Sequence, residues 1–186
     1  MKFFLTAMMI CFFSFTAKAV KFEMGTMLLS DKTDAGNTSA KADKIIYDLA
    51  ILMTSEGKSV FGIGWSFDMV TTKDEGTSTV KYSSTETGPI FTYQFGRSKE
   101  WYLGFTYNLT AKSKYNDGTT ENEWRGTSTK LTVGYVPSVT DRLQVGMKLN
   151  YHAASYNEEI SGSTTLASAS NKKSMIYPTL AFIYSF

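Results

Sequence analysis

From Val20 onward apolar residues recur at every second position, the period of a half-buried strand, and no stretch carries the spacing of an amphipathic helix. Val20, Phe22, Met24 and Leu28 alternate with Lys21, Glu23 and Gly25. Ile45, Tyr47, Leu49, Ile51 and Met53 alternate with Lys44, Asp48 and Ala50. The pattern returns over Phe61–Met69, Phe91–Phe95, Trp101–Leu109, Leu131–Tyr135, Leu143–Tyr151 and Ile176–Phe186. That makes eight segments, and a tilted strand of about ten residues crosses the hydrocarbon of a bilayer.

The connections sort by length. Ser55–Ser59, Gly96–Glu100 and Ser138–Arg142 read as tight turns. The stretches near Asp31 to Ala42, Thr71 to Thr87, Ala111 to Gly126 and Ala154 to Ser174 read as long polar loops, with Asn116 and Asn171 inside them. Three short turns and four long loops form the periplasmic and extracellular asymmetry of a bacterial outer-membrane barrel. The sequence therefore predicts an all-β, eight-stranded antiparallel up-and-down transmembrane β-barrel.

Alternation defines two faces, and chemistry decides which meets lipid. One face is apolar and carries most aromatics, with Tyr47, Trp65, Tyr93, Trp101, Tyr107, Tyr135, Tyr151 and Tyr184 mostly toward strand ends, as interfacial girdles require. The other holds small and polar residues with Glu23, Asp48, Asp68, Lys44, Lys130 and Lys148. A cation facing lipid at mid-bilayer costs about 2–4 kcal/mol, so these charges are expected inside. Glu23, Asp48, Asp68, Lys130 and Lys148 are thus the candidate interior polar network. An eight-stranded barrel is just wide enough for its own side chains. A salt-bridged plug is the first expectation and a narrow pore its rival. A soluble, lipocalin-like barrel with the apolar face inward is the alternative fold, and the loop asymmetry weighs against it.

Composition adds two things. Mean hydropathy is −0.17, too polar for a bundle of membrane helices. The net charge of +2 belongs to the first segment. There Lys2 precedes an apolar run, Phe3–Thr16, and then Ala17-Lys18-Ala19, the small-x-small pattern of signal-peptidase sites. Residues 1–19 are read as a cleaved signal peptide and 20–186 as the barrel domain. Removing Lys2 and Lys18 leaves 17 basic residues against 17 acidic ones, so no nucleic-acid partner is implied. The single cysteine, Cys11, leaves with the signal and follows Ile10, which is not small, so neither a lipoprotein anchor nor a disulfide is expected.

The chain ends Leu180-Ala181-Phe182-Ile183-Tyr184-Ser185-Phe186, apolar at every second position and closed by an aromatic. This resembles the C-terminal assembly signal of bacterial outer-membrane proteins, with Phe182, Tyr184 and Phe186 as its residues. With the eight segments and the signal peptide, the chain resembles the small OmpX/OmpA/OmpW-like outer-membrane β-barrels. The resemblance implies residence in the Gram-negative outer membrane. It implies contact with outer-membrane lipid and lipopolysaccharide, delivery by periplasmic chaperones and insertion by the outer-membrane assembly machinery. It implies no single activity. Two features depart from the pattern: Pro178 in the last strand, expected at the rim or a bulge, and Gly88-Pro89 near the start of the fourth.

Catalysis finds little support. His152 is the only histidine, and eight-stranded lipid A enzymes require a His with a Ser or acid partner. Ser155 lies three residues on, which puts the two on opposite faces of a strand. No phosphate loop, dinucleotide fingerprint or metal cluster is present, and no cofactor is expected. Two functions stay open: a structural or surface-interaction protein acting through its outer loops toward an unidentified external ligand, and a narrow conduit for small molecules. Loops that extend the sheet outward favour the first, and an apolar tunnel opening sideways favours the second.

Overall fold

The computed structural model describes residues 19–35, 38–55, 57–75, 79–116, 121–161, 164–166 and 171–186. The expected signal peptide lies, apart from Ala19, outside them. Nine strands follow in order: β1 Ala19–Ala35, β2 Thr38–Thr54, β3 Val60–Glu75, β4 Thr79–Phe95, β5 Trp101–Asn116, β6 Glu121–Tyr135, β7 Leu143–Ser161, β8 Thr164–Leu166 and β9 Asn171–Ser185. All pairings are antiparallel between sequence neighbours, except that β7 also pairs β9, and β9 pairs β1 to close the ring. β8 is a three-residue strand folded back on Glu159–Ser161 of β7. The chain is an all-β, eight-stranded antiparallel barrel. No helix among the described residues is long and apolar enough to span a bilayer, and the apolar surface is carried on strands instead.

The alternation read from the sequence is the alternation of the wall. On β3, Phe61, Phe67 and Met69 point out and are exposed, while Ser66, Asp68 and Val70 point in and are buried. The outward set forms a belt about nine residues tall along each strand. At the turn end it closes on aromatic pairs, Phe61–Tyr93 at 4.7 Å, Trp101–Tyr135 at 5.2 Å and Tyr184–Phe186 at 5.1 Å between centroids. Offset and edge contacts of this kind hold girdle rings at a fixed height. Trp65 departs from the girdle expectation: it lies mid-wall, opposite Pro89, and its indole donates to the Thr87 hydroxyl at 2.5 Å. That bond satisfies the one polar atom that otherwise draws tryptophan to the interface.

The described parts of the long polar stretches are strand, where loops were expected. Strands of 15–19 residues are about 50–60 Å long at 3.3 Å per residue and, even tilted by about 45°, rise past a hydrocarbon core of about 30 Å. Asn116 ends β5 and Asn171 begins β9. The polar residues fail to break the strands because Ser and Thr suit extended backbone and few Gly or Pro interrupt them. The departures take defined places. Gly88-Pro89 lies at the bulge where the β4–β5 register shifts between Thr87 and Ile90. A Cβ on Gly88 would meet the Tyr107 carbonyl at 2.1 Å, so the crossing needs glycine. Gly96 turns β4 into β5 with φ 101°, open to glycine at no steric penalty.

One seam is short. β1 pairs β2 from Ala19↔Thr54 to Ala35↔Thr38 without a break. β1 pairs β9 only from Lys21↔Ser185 to Thr26↔Leu180. Beyond Thr26 the two strands run on without a shared ladder.

Candidate functional site

Inward side chains fill the barrel with polar groups that satisfy one another. Glu23 on β1 accepts from Lys148 Nζ at 2.7 Å and from the Tyr102 hydroxyl at 2.9 Å. The Lys148 ammonium also stands 3.7 Å from the Tyr102 ring centroid, a cation–π contact. Lys130 on β6 bonds Asp68 at 2.6 Å and approaches Asp48 to 3.5 Å. These five are the sequence-derived candidates, and they lie at one level of the lumen, all but Asp48 buried. Lys44 is the sixth charge that the alternation puts on the inner face. It points inward but toward the end formed by the strand extensions, and it makes no ion pair among the described residues. Three carboxylates therefore share two ammonium groups.

The network is larger than the alternation revealed. Asn108 Nδ2 donates to Asp68 at 3.3 Å, Glu86 at 3.1 Å and Ser128 at 2.9 Å, tying two carboxylates together. Glu86 also accepts from Ser128 and from Ser84, the latter at 2.9 Å. His152 Nε2 sits 2.7 Å from Glu86. Asn150 accepts from Thr132 at 2.8 Å and donates to Thr179 at 3.1 Å. Toward the turns, Lys21 donates to Gln94 at 2.5 Å and Gln94 to Gln144 at 2.9 Å. Glu86 escaped the sequence reading because the fourth segment was begun at Phe91; carrying its alternation back through Pro89 places Glu86 and Ser84 on the inner face.

A cavity of about 30 Å³ remains among Glu23, Asp48, Asp68, Tyr102, Lys130 and Lys148, room for one or two waters. His152 is 3% exposed, and Ser155 faces the opposite side of β7. The His–Ser pairing is thereby absent, and the imidazole lies behind the wall, on Glu86.

Near the strand-extension end the inner face turns apolar. Ile46, Val70 and Tyr177 are buried together, with Met27 and Met175 packed on them. One level further out Ala111, Ala154 and Tyr156 pack with Trp124. The Tyr82 and Tyr156 hydroxyls meet at 3.3 Å, and Lys173 Nζ stands 3.2 Å from the Tyr82 ring centroid. Burial, with the like charge of Lys44 adding to it, holds the Lys173 ammonium below its ordinary pKa. The sequence reading missed these inward apolar residues, because Ile46 and Val70 adjoin outward apolar neighbours and blur the alternation.

Of the assembly-signal residues, Phe182 and Tyr184 point outward on β9, and Phe186, just past its end, is exposed at the turn-end rim.

The barrel resembles solved structures in fold. Neisserial surface protein A matches with a TM-score of 0.51 at 14% identity, over 90% of this chain and 96% of that one. The translocator domain of the autotransporter NalP from Neisseria meningitidis gives a TM-score of 0.48 at 12% identity, over 92% of this chain and 65% of that one. No protein-family model and no curated protein sequence matches the chain.

Proposed function

We propose that this chain is an integral protein of the Gram-negative outer membrane, closed to solute flow. Its work is structural or done by the strands that extend past the membrane, toward an external ligand. Residues 1–19 serve as a cleaved signal peptide. Periplasmic chaperones and the assembly machinery act on the unfolded chain, the latter through Phe182, Tyr184 and Phe186. The apolar belt contacts lipid and lipopolysaccharide, and no chemistry is performed. The filled lumen carries this reading: two cations, four carboxylates and their amide and hydroxyl partners occupy the level where a pore would run. The outward extension of the sheet supports it further, since it presents polar surface well clear of the bilayer.

Planar-bilayer recording tests the closed lumen. The folded barrel is expected to give no stepwise conductance; steady channels that vary with Lys130 or Lys148 substitution would make it a conduit. Single cysteines at Asn116 and Asn171 test the orientation. Both should react with an impermeant reagent on intact cells, and one at Gly57 only after lysis.

A further inference from the structure

The β1–β9 seam is where the wall of the barrel loses its ladder without regaining it, in contrast to the bulge at Thr87/Ile90, where the β4–β5 pairing resumes. Its pairing ends at Thr26↔Leu180. Continued in the same register, Met27 would face Thr179 and Leu28 would face Pro178. Pro178 has no N–H to donate, and the unbroken β7–β9 ladder through Leu149↔Pro178 leaves β1 as the side that goes without. Leu28 and Ile176 flank the gap on the outer surface, 76% and 69% exposed and continuous with the apolar belt.

Behind the gap lies a buried apolar cluster, closed over by Met27 and Met175, rather than the polar network. Met27, Ile46 and Val70 form one row of direct cross-strand partners on β1, β2 and β3. Tyr177 and Met175 complete the patch from β9. Methionine repacks readily around a guest. The next row outward is Lys44 opposite Thr72, with Thr72 opposite Tyr82 and Lys173 over the Tyr82 ring. Neither lysine makes an ion pair among the described residues. The Thr72 hydroxyl is buried without a hydrogen-bond partner there. Two ammonium groups and an unused hydroxyl above an apolar patch are complementary to the head of an anionic amphiphile.

We propose that the seam admits an acyl chain with a single anionic head. The head binds Lys44, Lys173 and Thr72, and the first methylenes rest on Met27, Ile46 and Val70. The row below holds Asp48, so the chain cannot continue down the lumen. It leaves between β1 and β9 and lies along the belt past Leu28 and Ile176. The same chemistry is offered by a free fatty acid and by a membrane lipid with its phosphate.

The test uses the folded barrel in phosphatidylcholine vesicles and palmitic acid bearing a diazirine near its carboxylate, with a parallel arm of phosphatidylglycerol carrying the diazirine near its ester. Illumination should label Met27, Ile46 or Met175, and excess palmitate should suppress it. Lys44→Gln with Lys173→Gln should weaken labelling about tenfold, the loss expected of a charge-assisted hydrogen bond. Val70→Trp, which crowds the cluster against a guest chain, and Pro178→Val, which restores a ladder donor, should reduce it as well. Heat-modifiable migration reports which variants fold. Interior labelling by palmitate alone identifies a fatty-acid site; labelling by both probes identifies a membrane lipid. Labelling confined to Leu28 and Ile176, or undiminished in every folded variant, overturns the proposal. So does cross-linking of the seam in whole cells to a protein strand instead of lipid.

Discussion

Lys148 and Leu149 are consecutive on β7 and meet opposite demands. Lys148 turns inward, 9% exposed, and finds a carboxylate and an aromatic face. Leu149 turns outward, 49% exposed, opposite Val133 on one side and Pro178 on the other. In a water-soluble domain the two environments would be exchanged. Here the apolar side is the one the surroundings must wet, and the charged side is the one the fold must satisfy from within. The barrel therefore draws specificity from polar complementarity in its centre, while its outer face needs only to be apolar.

Breaking the inner member should have the larger effect. Lys148→Met leaves Glu23 buried at 4% exposure with only the Tyr102 hydroxyl. Removing one partner of a buried pair destabilises by about 3–5 kcal/mol. Urea unfolding in lipid vesicles should show this loss, and Glu23→Gln added to Lys148→Met should recover much of it. A loss below about 1 kcal/mol would mean that water reaches the pair, as at exposed pairs.

Leu149→Lys tests the outer member. A lysine on the lipid face near mid-bilayer is expected to destabilise by about 2–4 kcal/mol, less if the ammonium snorkels to an interface. The same unfolding assay reads it. An unchanged midpoint would mean that this face does not meet lipid, and the membrane reading would fail with it.

The same pair explains how much of the molecule was legible beforehand. Period-two patterning is a direct consequence of strand geometry, so Leu149 and Lys148 declare their faces from sequence alone. Glu23, Asp68 and Lys130 were readable by that parity, but their pairing was not. Lys130 meets Asp68 across 62 positions of sequence and Lys148 meets Glu23 across 125, contacts that depend on how the sheet closes. Asn108 and Glu86 were invisible for different reasons: one is a neutral amide in a row of neutral residues, the other lies behind a proline. The strand extensions were misread because turn-forming composition and polar strand composition overlap in Ser and Thr. The short seam had one sequence signal, Pro178, whose consequence depends on which neighbour loses the donor.

The smallest effect lies beyond the apolar belt and sharpens the contrast. Arg125 Nε donates to Glu123 at 2.6 Å on the outer part of β6. Arg125 is exposed there, and this hydrogen bond holds the Glu123 carboxyl below its ordinary range. The geometry resembles that of Lys148 and Glu23, yet water competes for both charges. Exposed pairs contribute about 0.2–1 kcal/mol, and salt screens them. Glu123→Gln should therefore shift stability by no more than that at neutral pH. Because the folded-state pKa is depressed, the contribution exists above the unfolded value and disappears as pH falls through the folded one. Wild type and variant should then unfold together in acid and differ slightly at pH 7, the difference shrinking in high salt. A neutral-pH loss as large as that of Lys148→Met would show that burial is not what separates the two pairs, and the contrast between lumen and outer surface would need another cause.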